Sequence, residues 1–329
     1  MSGPTFTSSS VITRYPGNPI LAPEDVPYPS GQVFNAGVTK WQGRYVMVFR
    51  NDWDFDERTH YPRRRNLGLA HSDDGIHWEV APEPLPPIWS SGMRTAYDPR
   101  LTVLDGRLYV CLAVDTKHGI RGGVAVTDDL EHFEMLSLSA PDNRNMVFFP
   151  ERQDGYFMRL ERPFPIYGRG APEAFDMWFS RSPDCRFWGD TELVLGSEQV
   201  PFANSKIGPA SPPVKTDKGW LTLFHAVYKD EERELLSWHG GWHKAYMAGI
   251  LLLDLKEPWR VIGMSREPLL APEEAYRYEV DGFRGSVIFP CGLIVEDDGE
   301  AKIYYGAADT VVALATARID DLIALCEPV

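Results

Sequence analysis

The chain has 329 residues, 43% hydrophobic and 24% charged, a composition that suits a soluble globular protein with a sizeable core. Its 47 acidic and 33 basic side chains give a formal charge of −14, so the overall field repels nucleic acid and anionic membranes, and a bound anion needs a local cluster of cations. No apolar run approaches the roughly 18 residues of a membrane-spanning helix, and the N-terminus MSGPTFTSSSVITRYPGNP lacks the charged-then-apolar order of a signal peptide, which predicts a cytoplasmic location.

With 28 Gly, 27 Pro and 12% aromatic residues, the chain suits many turns and short strands, and an all-β fold is expected. In chain order a degenerate unit recurs five times, each copy an apolar strand followed by a polar turn with Asp and then an aromatic or apolar residue. The copies are GLAHSDDGIHWEV (68–80), GVAVTDDLEHFEML (123–136), MWFSRSPDCRFWGD (177–190), GILLLDLKEPWRVI (249–262) and ALATARIDDLIAL (313–325). Their markers Asp73, Asp128, Asp184, Asp254 and Asp320 lie 55, 56, 70 and 66 residues apart, which fits one four-stranded blade plus loops. Between them RYVMVFR (44–50), RLYVCLAV (107–114), GWLTLFHAV (219–227) and AKIYYGAA (301–308) read as strands. The expectation is a five-bladed β-propeller spanning 1–329 as a single domain; a β-sandwich or two β domains are the alternatives. In a propeller, residues far apart in sequence converge on one central pocket.

Polar residues inside apolar segments are informative because burial without a partner is costly. They are Asn35, Arg50 to Asp52, Arg65, Tyr97 to Arg100, Arg144, Asn145, Arg162, Lys206, His225 and Asp309. Arg144, Arg162, Lys206 and His225, next to strand-like stretches of blades two to four, suit either an oxyanion pocket or a structural salt-bridge network. Asp98, between Tyr97 and Pro99 at the start of an apolar strand, is the best single candidate for a general acid, although turn formation before Pro is the commoner role for an Asp in that setting. His239 and His243 have i, i+4 spacing, but the intervening glycines argue against a helix and no third ligand is evident, so no metal is expected. The cysteines (111, 185, 291 and 326) form neither a metal pair nor a disulfide framework and read as buried small hydrophobes. Trp53, Trp89, Trp178, Trp238 and Trp242 could stack on sugars or pack blades. No P-loop, GxSxG or dinucleotide fingerprint is present.

VFNAGV, YDPRLT, NRNMVFFPE with RLERP, SKIGPASPPV, FHAVY, VIFPCG and IYYGAADTVVALA together resemble the β-mannoside phosphorylases of glycoside hydrolase family 130, from about residue 17 to the C-terminus. The resemblance implies a five-bladed propeller and an inverting phosphorolysis of a β-mannoside to α-mannose 1-phosphate and a shortened acceptor, with inorganic phosphate as co-substrate and no other cofactor. It puts the catalytic acid on Asp98, whose proton travels through the mannose 3-hydroxyl. Phosphate ligands fall on Arg144, Asn145, Arg162, Lys206 and His225, while Asn35, Arg65, Tyr97 and Asp309 face the sugar. The segment RNDWDFDERTHYPRRR (50–65) is closer to the mannosylglucose phosphorylases, and a β-1,4-linked mannosyl-glucose or mannooligosaccharide is the expected substrate. An inverting β-mannosidase, with Asp309 or Asp52 as second carboxylate, and a non-catalytic sugar-binding propeller are the rivals. Small-molecule partners are expected, not nucleic acid or membrane, with room for a homo-oligomer.

Overall fold

The computed structural model describes residues 4–88, 92–141, 143–165, 168–169 and 175–329, which leaves Trp89 outside the described residues. Five antiparallel sheets, each a meander, form the blades of a β-propeller. Blade one is Gln32–Trp41, Arg44–Phe55, Pro62–Ser72 and Glu79–Val80, and blade two is Met93–Leu104, Arg107–Thr116, Gly119–Thr127 and Glu134–Leu138. Blade three is Asn143–Phe148, Phe157–Pro163, Met177–Ser182 and Gly189–Leu195. Blade four is Lys206–Pro209, Trp220–Lys229, Lys244–Leu253 and Val261–Met264, with Val214–Lys215 pairing alongside. The first strands of the blades gather around the axis. The four strand-like runs of the sequence are the second strands of blades one, two, four and five. The second strand of blade three, FMRLERP, is less apolar because it buries the ion pair Arg159–Glu161, 2.8 Å apart, with Arg159 lying 3.9 Å over the Trp188 ring.

The repeated unit is the turn between the third and fourth strands. Asp74, Asp129, Asp184 and Asp254 each accept backbone N–H groups two and three residues ahead, at 2.8–3.0 Å, which fixes the turn. In the first two copies the turn-forming carboxylate is therefore one residue after the expected marker, and Asp73 and Asp128 instead pair with Arg44 and Arg107. Aromatics after the turn seal the blades: Trp78 meets Tyr304 of blade five at 6.1 Å and Trp259 meets Phe179 of blade three at 5.5 Å. The four cysteines are free, three of them buried as small hydrophobes and Cys326 half-buried.

The fifth copy departs from the others. Asp320 lies in the helix Ile319–Ala324, and the outer edge of Ile288–Val295, Glu300–Ala307 and Val311–Arg318 is covered by Thr13–Arg14 from the chain start. Closing the ring with the other end of the chain removes an exposed edge. The closing strand is locked by Arg14, whose guanidinium meets the fully buried Glu279 at 2.7 and 3.0 Å and the Ala271 carbonyl at 2.8 Å. Tyr305 also donates to Glu279 at 2.8 Å. Removing one partner of such a pair strands a buried charge, so Arg14→Ala is expected to cost about 3–5 kcal/mol in urea unfolding. A loss below about 1 kcal/mol, the value of a surface pair, would refute this account of ring closure.

Candidate active site

Three inner strands carry the same irregularity. Pairing slips between Phe34 and Gly37, between Tyr97 and Arg100, and between Arg144 and Val147. Within each slip one polar residue adopts a left-handed backbone: Asn35 at φ 48°, Asp98 at 53° and Asn145 at 57°. Asn and Asp tolerate this region best, and such bulges re-aim a side chain, here toward the axis. Asp309, φ 51°, joins them from the turn after Glu300–Ala307. All four line one central cavity, together with Tyr97, Arg144, Arg162 and Lys206. Two glycines permit the close approach: a Cβ on Gly306 would stand 2.3 Å from Asn35 Oδ1, and one on Gly208 would stand 2.6 Å from the His225 ring and 2.8 Å from the Arg162 side chain.

On the acidic side, Asp98 Oδ1 accepts from Asn35 Nδ2 at 3.0 Å and faces Arg50 Nη1 at 3.3 Å. Arg50 is held by Asp52 at 2.6 and 3.0 Å and by the rings of Phe34 and Tyr97, 4.4 and 5.0 Å away. Burial works to raise the Asp98 pKa, but the charges of Arg50, Arg100 and Arg144 and the Asn35 hydrogen bond outweigh it and hold the carboxyl below the ordinary range. Asp309 goes the other way: burial raises it, helped by Asp98 and Asp52, despite the Arg284 guanidinium 3.3 Å away. The two carboxyls of the cavity are therefore driven apart in acidity.

On the cationic side the surroundings are aromatic. Arg144 lies 5.5 Å from the Phe164 ring, Arg162 4.9 Å from Phe175, and Lys206 5.7 Å from Phe175 and 5.4 Å from Tyr246. Arg144 Nε, Arg162 Nε and Nη2 and His225 Nδ1 are buried with no hydrogen-bond partner among the described residues. Burial and repulsion depress two of the cations: Lys206 falls to about 6, by burial and then Arg162, Lys244, Arg144 and Arg284, and Arg162 falls to about 9, by burial and then Arg144. His225 is pushed well below its ordinary value by burial and the same cations. A neutral ring whose Nε2 accepts from Arg162 Nη1 at 3.2 Å carries its proton on Nδ1. Clustered donors with free N–H groups suit a tetrahedral oxyanion.

Of the ten site residues expected from sequence, eight reach the cavity wall. Arg144 and Arg162 both belong to blade three, Lys206 and His225 to blade four. His225 is wholly buried behind Arg162. Arg65 stands behind Tyr97, 4.6 Å from its ring, with its guanidinium on Asp52 at 2.6 and 3.0 Å. Arg50, Trp242, Tyr246 and Arg284 also line the cavity. Arg50 was visible as a charge inside an apolar strand, whereas Tyr246 and Arg284 have no local signal because their role depends on which loops meet. His239 and His243 do not converge: His239 stacks on His60, and His243 Nδ1 lies 3.0 Å from the Arg233 carbonyl.

A left-handed carboxylate that shares one cavity with Arg144, Arg162 and Lys206 is an arrangement suited to moving a proton and holding an oxyanion at one centre. The sequence profile of glycoside hydrolase family 130, described as β-1,4-mannooligosaccharide phosphorylase, matches residues 11–328, and the chain belongs to this family of mannoside phosphorylases. It is 33% identical to a β-1,4-mannooligosaccharide phosphorylase of Ruminococcus albus, over 95% of this chain and 90% of the relative. It is 27% identical to a β-1,2-mannobiose phosphorylase of Listeria innocua, over 95% and 97%. A structure described as that Listeria innocua enzyme with β-1,2-mannobiose superposes with a TM-score of 0.80 at 26% identity, covering 95% of this chain and 98% of the other.

With a pKa of about 6, free Lys206 is neutral near pH 8, and a bound oxyanion restores its charged form. Binding of inorganic phosphate near pH 8 is therefore expected to take up a proton, read by calorimetry in buffers of different ionisation enthalpy. The Lys206 part of the uptake should shrink as the pH falls through about 6, as the free side chain becomes charged, and should be lost in Lys206→Met. A buffer-independent enthalpy at pH 8 would overturn the assignment.

Proposed function

We propose that the chain catalyses inverting phosphorolysis of a β-mannoside. An oxygen of inorganic phosphate attacks the anomeric carbon and the β-glycosidic bond breaks. The leaving oxygen takes a proton that originates on Asp98 and passes through the mannose 3-hydroxyl, and α-mannose 1-phosphate and the acceptor sugar depart. The observation that carries this reading is the set of buried Arg144 and Arg162 nitrogens, without a partner among the described residues, in the same cavity as Asp98. In the proposed complex Arg144, Asn145, Arg162 and Lys206 hold the phosphate, and Asn35, Tyr97 and Asp309 meet the sugar. His225 and Arg65 act from behind, through Arg162 and Tyr97.

An inverting hydrolase needs a second carboxylate to activate water. Asp52 is unsuited, being enclosed by the Arg50 and Arg65 guanidiniums. Asp309 faces the Arg284 guanidinium at 3.3 Å, which takes up one of its oxygens. Phosphate needs only positioning and charge neutralisation, which the cations supply. Its negative charge also offsets Arg144 and Arg50 near Asp98, which favours the protonated acid the reaction requires. The family description and the Ruminococcus albus relative support a β-1,4 linkage in a mannooligosaccharide or mannosyl-glucose; the Listeria innocua relative makes β-1,2 the alternative.

Purified protein given β-1,4- and β-1,2-mannobiose with and without phosphate should form α-mannose 1-phosphate only with phosphate and preferentially from the β-1,4 sugar. Asp98→Asn should lower kcat by about 10²–10⁴-fold while still binding mannosides. A near-native rate in that variant, or free mannose formed equally without phosphate, would sink the mechanism.

Lys206→Ala removes a charge-assisted contact and should raise the phosphate KM by about ten- to a hundredfold, with little change in mannoside affinity. His225→Ala should raise it as well, by loosening Arg162, and His225→Gln, which keeps an acceptor, should recover part of the loss. Unchanged phosphate kinetics in both alanine variants would make the cluster structural.

A further inference from the structure

Arg100 stands two residues after Asp98 on the inner strand of blade two and is 1% exposed, so its charge lies wholly inside the ring. Its donors go to backbone oxygens. Nε donates to the Ala210 carbonyl at 2.6 Å, and Nη1 donates to the carbonyls of Asp98 and Pro99 at 3.0 and 3.1 Å. Nη2 is buried with no hydrogen-bond partner among the described residues. Burying a guanidinium is costly, and an apolar side chain would fill the same space without that cost, so the three carbonyls need a reason.

The bulge supplies it. The ladder of blade two pairs Tyr97 with Ala113 and Arg100 with Cys111, which leaves Asp98 and Pro99 between them without a place in the register. A carbonyl displaced from its ladder inside the ring must find another donor, and Arg100 provides one for both. The bulges at Asn35 and Asn145 slip in the same way, yet among the described residues no side chain donates to the carbonyls of 35–36 or 145–146. Of the three, the bulge that bears the carboxylate is the one held by a side chain.

The hold also reaches across the axis. Ala210 directly follows Lys206–Pro209, the strand of blade four that carries Lys206. The Arg100 guanidinium lies 5.2 Å from the ring of Phe289 on the inner strand of blade five, and that ring is 4.8 Å from the His225 ring. From the opposite side blade one closes in: a Cβ on Gly37 would stand 2.7 Å from the Pro99 carbonyl oxygen and 3.2 Å from the Arg100 Cα. The charge is felt by the acid as well, since burial works to raise the Asp98 pKa and Arg50 and then Arg100 work against it.

We propose that Arg100 is a positioning residue for the general acid: by bridging the Asp98 and Pro99 carbonyls to the Ala210 carbonyl, it sets the aim of the Asp98 carboxyl relative to the strand that carries Lys206. The inference rests on Asp98 as the proton donor of the proposed reaction. Arg100 lies behind the cavity wall and acts through the backbone of the bulge. Without its donors the bulge must shift to satisfy its carbonyls, and a displacement of about 1 Å at a reacting group costs on the order of 10²-fold in rate.

A double-mutant cycle on β-1,4-mannobiose with phosphate tests this, with folding followed by circular dichroism. Arg100→Met should lower kcat by about 10- to 100-fold and leave the KM values for mannoside and phosphate within about threefold. In the Asp98→Asn background the same substitution should cost less than about threefold, because the acid it would misplace is already gone. Arg100→Lys, which keeps the charge and can reach part of the carbonyl set, should recover some of the loss. Gly37→Ala presses on the same carbonyl with the charge in place and should lower kcat with the same dependence on Asp98. Should Arg100→Met not fold, the cycle is run with Arg100→Lys and Gly37→Ala, and the same criterion applies. Equal losses in the two backgrounds, a near-native kcat in the variants, or a loss carried by the KM values would make Arg100 a core residue and overturn the proposal. A near-native rate in Asp98→Asn overturns the acid reading and this inference with it, whereas a crippled Asp98→Asn with additive losses keeps the acid and removes only the role of Arg100.

Discussion

Holding Arg144, Arg162 and Lys206 together in one cavity is the constraint on which the site depends. Arg144, Arg162 and Lys206 repel one another within a largely desolvated pocket, and burial first, with that repulsion added to it, brings Lys206 down to about 6. An isolated pair of strands could not enforce such an arrangement, because the side chains would swing into water. The propeller does so by fixing the groups on adjacent blades, with the rings of Phe164, Phe175 and Tyr246 as neighbours. A net acidic protein thereby keeps a local positive potential at its centre.

The acidic half follows a complementary logic. Asp98 is not free to choose its orientation: the left-handed backbone at the bulge aims it, Asn35 and Arg50 hold one oxygen, and Asp52 with Arg65 holds Arg50. This chain of contacts crosses from blade one to blade two and makes the carboxyl's acidity a property of several strands. Asp309, a few residues from the last strand of the ring, responds to much the same neighbours with the opposite shift because it lacks comparable hydrogen bonding and is dominated by burial.

The five blades are not equivalent on the face that carries the site. Blade two turns from its second to its third strand through two residues, 117 and 118, whereas blade four spends residues 230–243 on the same turn and blade one residues 56–61. In a meander these turns lie on the face opposite the Asp-fixed turns after the third strands. One face therefore repeats a structural device and the other diverges. The division lets the ring be stabilised by repetition while the mouth is free to vary.

The repeat was legible in the sequence because polar turns and apolar strands are local features, and it pointed to five blades, although the turn carboxylate is Asp74 rather than Asp73 and Asp129 rather than Asp128, and Asp320 lies in a helix. The family motifs named Asp98 and the cations, since charges inside apolar strands are conspicuous in a chain. What the sequence could not give was direction and depth. His225 and Arg65 read like the other polar residues, yet one lies behind Arg162 and the other behind Tyr97, because a side chain's distance from the axis depends on the pairing of its strand with a neighbour. Closure of blade five by Thr13–Arg14 joins residues about 300 positions apart, and the meeting of His60 with His239 joins hairpins of two blades. Local chemistry thus determined which residues could act and what strands they sat in. Ring closure alone decided which of them face one another, because only a closed set of blades brings the first and last strands, and the loops between them, to a common axis.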